Sequence, residues 1–256
     1  MSEARIIARK VPEITVAFWV TKILTTAMGE SVSDYSIRVL KPDLAIPIGG
    51  TLFLVALIAQ FVVRRYVAGV YWFAIVMVSI FGTMVADSLH AVGLPYWVTG
   101  LGFATILALI FVFWRITQKS LSIHSIYTTP REFFYWGAVL ATFALGTSLG
   151  DLTAYTFHLG VLISGCMFIV IILIPLVAWW KFKLNPIFAF WFAYVTTRPL
   201  GASFADYGAI QPPQGLGLGT GTMSLILTSA VLVCVVYLAI TQGRTARRAA
   251  TGLAEA

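Results

Sequence analysis

Residues 18–35 read FWVTKILTTAMGESVSDY, and residues 190–207 read FWFAYVTTRPLGASFADY. At one constant offset the two share Phe-Trp, a Thr, Gly, Ser, Asp and Tyr. Two further stretches, YWFAIVMVSIFGTMVADS from Tyr71 and YWGAVLATFALGTSLGDL from Tyr135, match more loosely. All four keep an aromatic-Trp pair, a Gly ten residues after the Trp and an Asp five residues after the Gly. The columns are Trp19, Trp72, Trp136 and Trp191; Gly29, Gly82, Gly146 and Gly201; Asp34, Asp87, Asp151 and Asp206. Three residue types at fixed spacing in four places are an internal repeat, and a repeat sets the architecture before any other motif is weighed.

The chain is 59% hydrophobic and 11% charged over 256 residues, whereas soluble domains are about a quarter charged. A helix needs about 20 apolar residues to cross a bilayer. Eight such windows run roughly 14–34, 46–63, 67–90, 96–114, 133–155, 158–180, 186–206 and 219–241. The motif falls in the odd windows and a plainer span follows each. The expected fold is therefore an all-α integral membrane protein, a single membrane domain over residues 1–256. It has eight transmembrane helices as four repeats of about 12–65, 66–118, 130–182 and 183–243. Each repeat crosses an even number of times, so all four point the same way about a pseudo-symmetry axis along the membrane normal.

Of the 17 basic residues, 13 fall in alternate connections: Arg5, Arg9 and Lys10; Arg64 and Arg65; Arg115, Lys119 and Arg131; Lys181 and Lys183; Arg244, Arg247 and Arg248. The positive-inside rule places these, both termini and a basic tail over 244–256 in the cytoplasm. The net charge of +7 thus reports topology, and no nucleic-acid partner is expected. The first apolar stretch lacks a small-residue cleavage site and carries the repeat motif, so it is read as a span rather than a signal peptide. Cys166 and Cys234 lie in apolar spans without metal-ligand spacing.

The chain resembles a group of bacterial multipass membrane proteins made of tandem two-helix repeats with a characteristic Trp. The KVPEITVAFWVTKILTTAMGE opening and the late GLGLGT stretch carry that likeness beyond the columns. The resemblance implies the architecture and a bacterial inner-membrane location, with little said about activity.

Steps of four residues stay on one helix face, drifting about 40° each. Reading back from each Asp gives Lys22, Thr26, Glu30, Asp34; then Ile75, Ser79, Thr83, Asp87; then Val139, Phe143, Thr147, Asp151; and Tyr194, Arg198, Ala202, Asp206. An ionisable group at mid-membrane costs about 2.5–3.5 kcal/mol even on the lenient scale, so these stripes are expected to face the bundle interior or a hydrated cavity. Crowded carboxylates repel unless a cation or proton compensates, and hydroxyls with carboxylates suit an oxygen-seeking cation.

The expected function is a small secondary transporter or exporter of a cation, a divalent metal being one candidate, coupled to protons. Glu30, Asp34, Asp87, Asp151 and Asp206 would bind ion or proton. The four Asp would be the metal ligands, Lys22 and Arg198 would gate or compensate charge, and Thr26, Ser79, Thr83 and Thr147 would support the stripe. Structural hydrogen bonding and plain outer-surface charge remain open for the Asp column. A cation channel and a membrane scaffold or assembly protein are the alternatives. Partners are then the lipid bilayer, a cation or proton, and a second copy if the chain oligomerises. No cofactor is implied beyond a bound cation. The absence of an HExxH, a spaced Cys/His set or a Ser/His/Asp pattern gives no support to an enzyme.

Pro199 is expected to kink its helix. The Trp column is read as an interfacial belt or inter-repeat packing, and the Gly column as close helix approach. PPQGLGLGTGT over residues 212–222 lacks the GK[ST] ending of a phosphate loop and is read as a tight entry into the last span. His90 and His158 are candidates for proton relay or interfacial polarity near the Asp level, with a transition-metal site as the less favoured alternative.

Overall fold

The computed structural model describes the backbone of residues 10–254 and the side chains of residues 10–241. Arg5 and Arg9 lie outside the described residues, as do the side chains of Arg244, Arg247 and Arg248. The described residues are all-helical, with eight long helices: α1 (Val16–Leu40), α2 (Pro42–Val62), α3 (Ala68–Ala91), α4 (Tyr96–Gln118), α5 (Thr129–Asp151), α6 (Gly160–Phe182), α7 (Pro186–Ala209) and α8 (Gly219–Ala254). A π-helical turn, Leu152–Thr156, extends α5 directly after Asp151.

Local signals start these helices where they do. Thr15 Oγ1 caps α1 by accepting from the Phe18 amide, and Asn185 Oδ1 caps α7 by accepting from Ile187 and Phe188. Each satisfies a first-turn amide that has no partner within its own helix. Proline opens α2, α5 and α7, where its missing N–H costs nothing. The glycine-rich stretch before α8 folds back on the end of α7: the Leu216, Gly217 and Leu218 amides donate to the Tyr207, Ile210 and Gly208 carbonyls. Gly217 and Gly219 take φ of 77°, which glycine alone adopts without strain. The stretch is the tight entry expected of it. Pro199 lies inside an α7 that runs unbroken from Pro186 to Ala209.

The four odd helices close a ring: α1 packs on α3, α3 on α5, α5 on α7, and α7 back on α1. Two side-chain patterns repeat around it. A Cβ built on Gly29 would collide with Ser79, one on Gly82 with Phe143, one on Gly146 with Arg198 and one on Gly201 with Thr26. Each glycine thus meets the residue three places before the glycine of the next repeat, and the fourth meets the first. The Trp column behaves likewise. Phe18 contacts Trp72 (ring centroids 5.7 Å), Tyr71 contacts Trp136 (5.7 Å), Tyr135 contacts Trp191 (6.1 Å) and Phe190 contacts Trp19 (5.7 Å). The Trp column is therefore a girdle of inter-repeat packing; Trp72, Trp136 and Trp191 are buried. Both patterns turn the same way at the same levels, so the odd helices run parallel.

The even helices form an outer layer with a shifted pairing. α2 packs mainly on α3, α4 on α5, α6 on α7, and α8 on α1. Each even helix covers the odd helix of the following repeat more than that of its own. Its other face stays bare and apolar, as at Leu54, Val55, Leu101, Ile163, Val170, Leu232 and Val233. So large an exposed apolar surface needs a covering other than water. Among the described residues six helices are long and apolar enough to cross a membrane: α2, α3, α4, α5 with its π turn, α6 and α8 as far as Thr241. The other two, α1 and α7, carry the most charged stretches of the interior stripe.

The end of the bundle holding the Trp girdle is capped by chain outside the helices. Lys10 and Val11 tuck in beneath it, with the Lys10 amide donating to the Ile126 carbonyl (3.1 Å) and Val11 in the core. Ile123 and Ile126 of the α4–α5 connection are buried there, and the Trp191 indole donates to the Leu121 carbonyl at 3.0 Å.

Candidate functional site: the polar axis

The ring brings the four stripes together as layers along one axis. At the girdle end lie Phe18, Tyr71, Tyr135 and Phe190, with the Tyr71 and Tyr135 hydroxyls 2.5 Å apart. One turn on come Lys22, Ile75, Val139 and Tyr194, all buried. Thr26, Ser79, Phe143 and Arg198 follow, then Glu30, Thr83, Thr147 and Ala202, again all buried. Last come Asp34, Asp87, Asp151 and Asp206, each half-buried. The axis opens towards solvent at its Asp end and is packed shut below.

The deep charge is held by Arg198, which is 1% exposed. Its Nη2 faces Glu30 Oε2, Thr83 Oγ1 and Thr147 Oγ1, the last at 2.9 Å, while Nη1 lies 3.5 Å from the Thr26 carbonyl. One guanidinium therefore touches all three other odd helices. A buried ion pair like this contributes little net stability, yet losing one partner would strand a charge in the dry interior.

Lys22 behaves otherwise than expected. It reaches no carboxylate; its Nζ lies over the rings of Phe143 (4.0 Å) and Tyr194 (4.2 Å) and makes no hydrogen bond. Twelve residues of helix separate it from Asp34, about 18 Å of rise, beyond the reach of its side chain. The carboxylate contact in the deep axis is made by Arg198, and the Lys22 Nζ is packed against aromatic faces.

At the mouth, carboxylate oxygens of Glu30, Asp34 and Asp206 lie within 4.8 Å of one another. Asp87 and Asp151 stand at the same level on α3 and α5, outside that trio though within electrostatic range of Glu30. Of the four Asp expected to ligate a metal, Asp34 and Asp206 thus come together with Glu30, which α1 alone adds to the column, and Asp87 and Asp151 stay outside the trio. Among the described residues the histidines join no such group: His90 stacks on Tyr96 with ring centroids 3.8 Å apart. The supporting hydroxyls also divide. Thr83 and Thr147 meet Arg198, Thr26 Oγ1 donates to the Ile23 carbonyl of its own helix (2.6 Å) and lies 3.0 Å from the Thr197 carbonyl, and Ser79 Oγ packs on Gly29 with no hydrogen-bond partner among the described residues.

One polar cluster was not foreseen. Lys10, one of the basic residues assigned to the cytoplasmic side, is buried: its Nζ donates to Glu132 Oε2 (2.5 Å) and to the Phe61 carbonyl (3.1 Å). Gln60 Nε2 donates to Glu132 Oε1 at 3.0 Å. The cluster ties the segment before α1 to the end of α2 and the first turn of α5. Gln60 was the visible signal, since it is the one side-chain amide in the α2 window and lies in its apolar second half.

Four cyclically equivalent helix pairs around a shared polar axis define a tandem-repeat helical ring. The chain belongs to the family described as Repeat of Unknown Function (DUF347), whose profile matches residues 17–66, 70–120, 134–185 and 189–244. Each match holds one odd and one even helix, within a few residues of the repeats read from the columns. No curated protein and no solved structure matches the chain.

Proposed function

We propose that this chain is a cation carrier of the bacterial inner membrane, with all eight helices spanning, the termini cytoplasmic and the Asp mouth on the opposite side. The observation that carries the reading is the trio of Glu30, Asp34 and Asp206 oxygens within 4.8 Å at the open end of the axis. Arg198 already compensates Glu30, so the two Asp beside it still need a cation or a proton among them, and an oxygen-only set suits a hard cation. Proton coupling follows from the same crowding, since a proton and a cation compete for one set of oxygens.

The spanning of α1 and α7 rests on their place in the ring. They match the other helices in length, and their charges point to an axis screened from lipid, which is where membrane proteins keep such groups. The buried layers from Lys22 to the girdle favour a carrier, which opens its two ends in turn, over a channel with a standing pore. A scaffold would have no use for an oxygen trio at a half-open mouth.

In proteoliposomes, cation flux down an imposed gradient is expected for the wild type. It should fall at least tenfold in Asp34→Asn/Asp206→Asn, since about 1.4 kcal/mol of lost binding is already a tenfold loss of affinity. A double variant that folds and carries the same flux would refute the reading.

A further inference from the structure

Arg198 Nη2 carries two hydrogens but faces three oxygens: Glu30 Oε2, Thr83 Oγ1 and Thr147 Oγ1. The third hydrogen on that side of the guanidinium, on Nε, is buried without a partner. A pocket built to recognise guanidinium spreads its oxygens along the planar fork. Here they converge on one point.

The two hydroxyls are also oriented for a cation. Thr83 Oγ1 lies 2.9 Å from the Ser79 carbonyl and 3.5 Å from Glu30 Oε2, so its single hydrogen goes to the nearer carbonyl. Thr147 Oγ1 donates to the Phe143 carbonyl at 3.1 Å. Both then present lone pairs to the centre, beside a carboxylate oxygen. Repeats one, two and three supply the three ligands from one column. Repeat four places Ala202 there, contributing no ligand, and fills the space with the Arg198 head from the layer below.

We propose that Glu30, Thr83 and Thr147 form a monovalent-cation site deeper on the axis than the carboxylate trio, and that Arg198 is its tethered occupant, exchanged for a free cation. Charge fixes the valence. A monovalent ion takes over the neutralisation of Glu30, and the displaced Arg198 head turns to the Asp34 and Asp206 carboxylates within its electrostatic range. The exchange then strands no charge, whereas a divalent ion would leave one uncompensated in the dry core. Glu30 belongs to both sites, so it is the ligand across which a cation passes from mouth to interior. The inference rests on reading the axis as a cation path.

The test is thermal unfolding of purified Arg198→Met, which keeps the packing against Gly146 but removes the charge. Sodium, potassium and ammonium chlorides are compared with choline chloride at equal ionic strength. The expected result is a saturable rise in Tm of several degrees with at least one of the three ions, beyond any wild-type response and absent from Arg198→Met/Glu30→Gln. A folded Arg198→Met that responds no more than wild type overturns the proposal. So does an Arg198→Met recovered in none of the salts, whether the double variant folds or not, because the site then cannot trade its tethered occupant. Flux without the Arg198→Met response would sink this site alone. The response without flux would leave the site standing and sink the carrier.

Discussion

Glu132→Ala should lower the unfolding free energy by about 3–5 kcal/mol, the usual consequence of stripping one partner from a buried ion pair. Glu132 is fully buried and holds both Lys10 Nζ and Gln60 Nε2. Its removal leaves an ammonium and an amide stranded beneath the Trp girdle, with only the Phe61 carbonyl left for Lys10. A solvated pair would contribute at most about 1 kcal/mol, so the size of the loss decides between a buried lock and a tail charge. The informative partner is Lys10→Met/Glu132→Gln, which discards both charges while letting residue 132 still accept from Gln60. It should recover to within about 1 kcal/mol of wild type, because uncharged replacements of buried pairs are often neutral. Chemical denaturation of the three proteins in one detergent checks this. Equal losses in the single and double variants would mean that shape, not charge, holds that end together.

Gly201→Val should cost about 3 kcal/mol, at the upper end of overpacking penalties. Two effects compete at this site. Helix propensity favours replacing a mid-helix glycine, by about 1 kcal/mol for alanine. Against it, a Cβ on Gly201 would stand 2.8 Å from the Ala27 backbone nitrogen, and backbone cannot swing aside as a flexible side chain can. The collision wins, and it is felt where α7 returns to α1 to close the ring. Gly102 in α4 is the control, since a Cβ there meets nothing within 4 Å. Gly102→Ala should be neutral or stabilising by up to about 1 kcal/mol. A Gly201→Val protein as stable as Gly102→Ala would remove close approach as the meaning of the glycine column.

The ring was legible because repeats force equivalence: when one residue type recurs at one position in four copies, its contacts recur too. Trp and Gly could therefore be assigned to shared layers before any contact was known. What stayed hidden depended on distances between different columns. That Glu30 would pair with Arg198 while Lys22 would not turns on a few ångströms of rise along the axis, and spacing along one helix says nothing of the stagger between two. The Lys10 cluster was missed for another reason. A basic residue next to a span has a ready topological explanation, which conceals a specific partner 122 residues away.

The shifted pairing of the outer layer bears on how this chain can be made. Three of the four outer helices find their main neighbour in the next stretch to be synthesised, but α8 must travel back to α1, the first helix to emerge. Until the last helix arrives, α1 has one flank bare, and with it the stretch carrying Lys22, Glu30 and Asp34. The unit that matures during synthesis is therefore an even helix with the odd helix after it, and the first motif waits for the whole chain. A nascent protein stalled before residue 219 would hold every acidic group of the mouth and still lack the helix that covers α1.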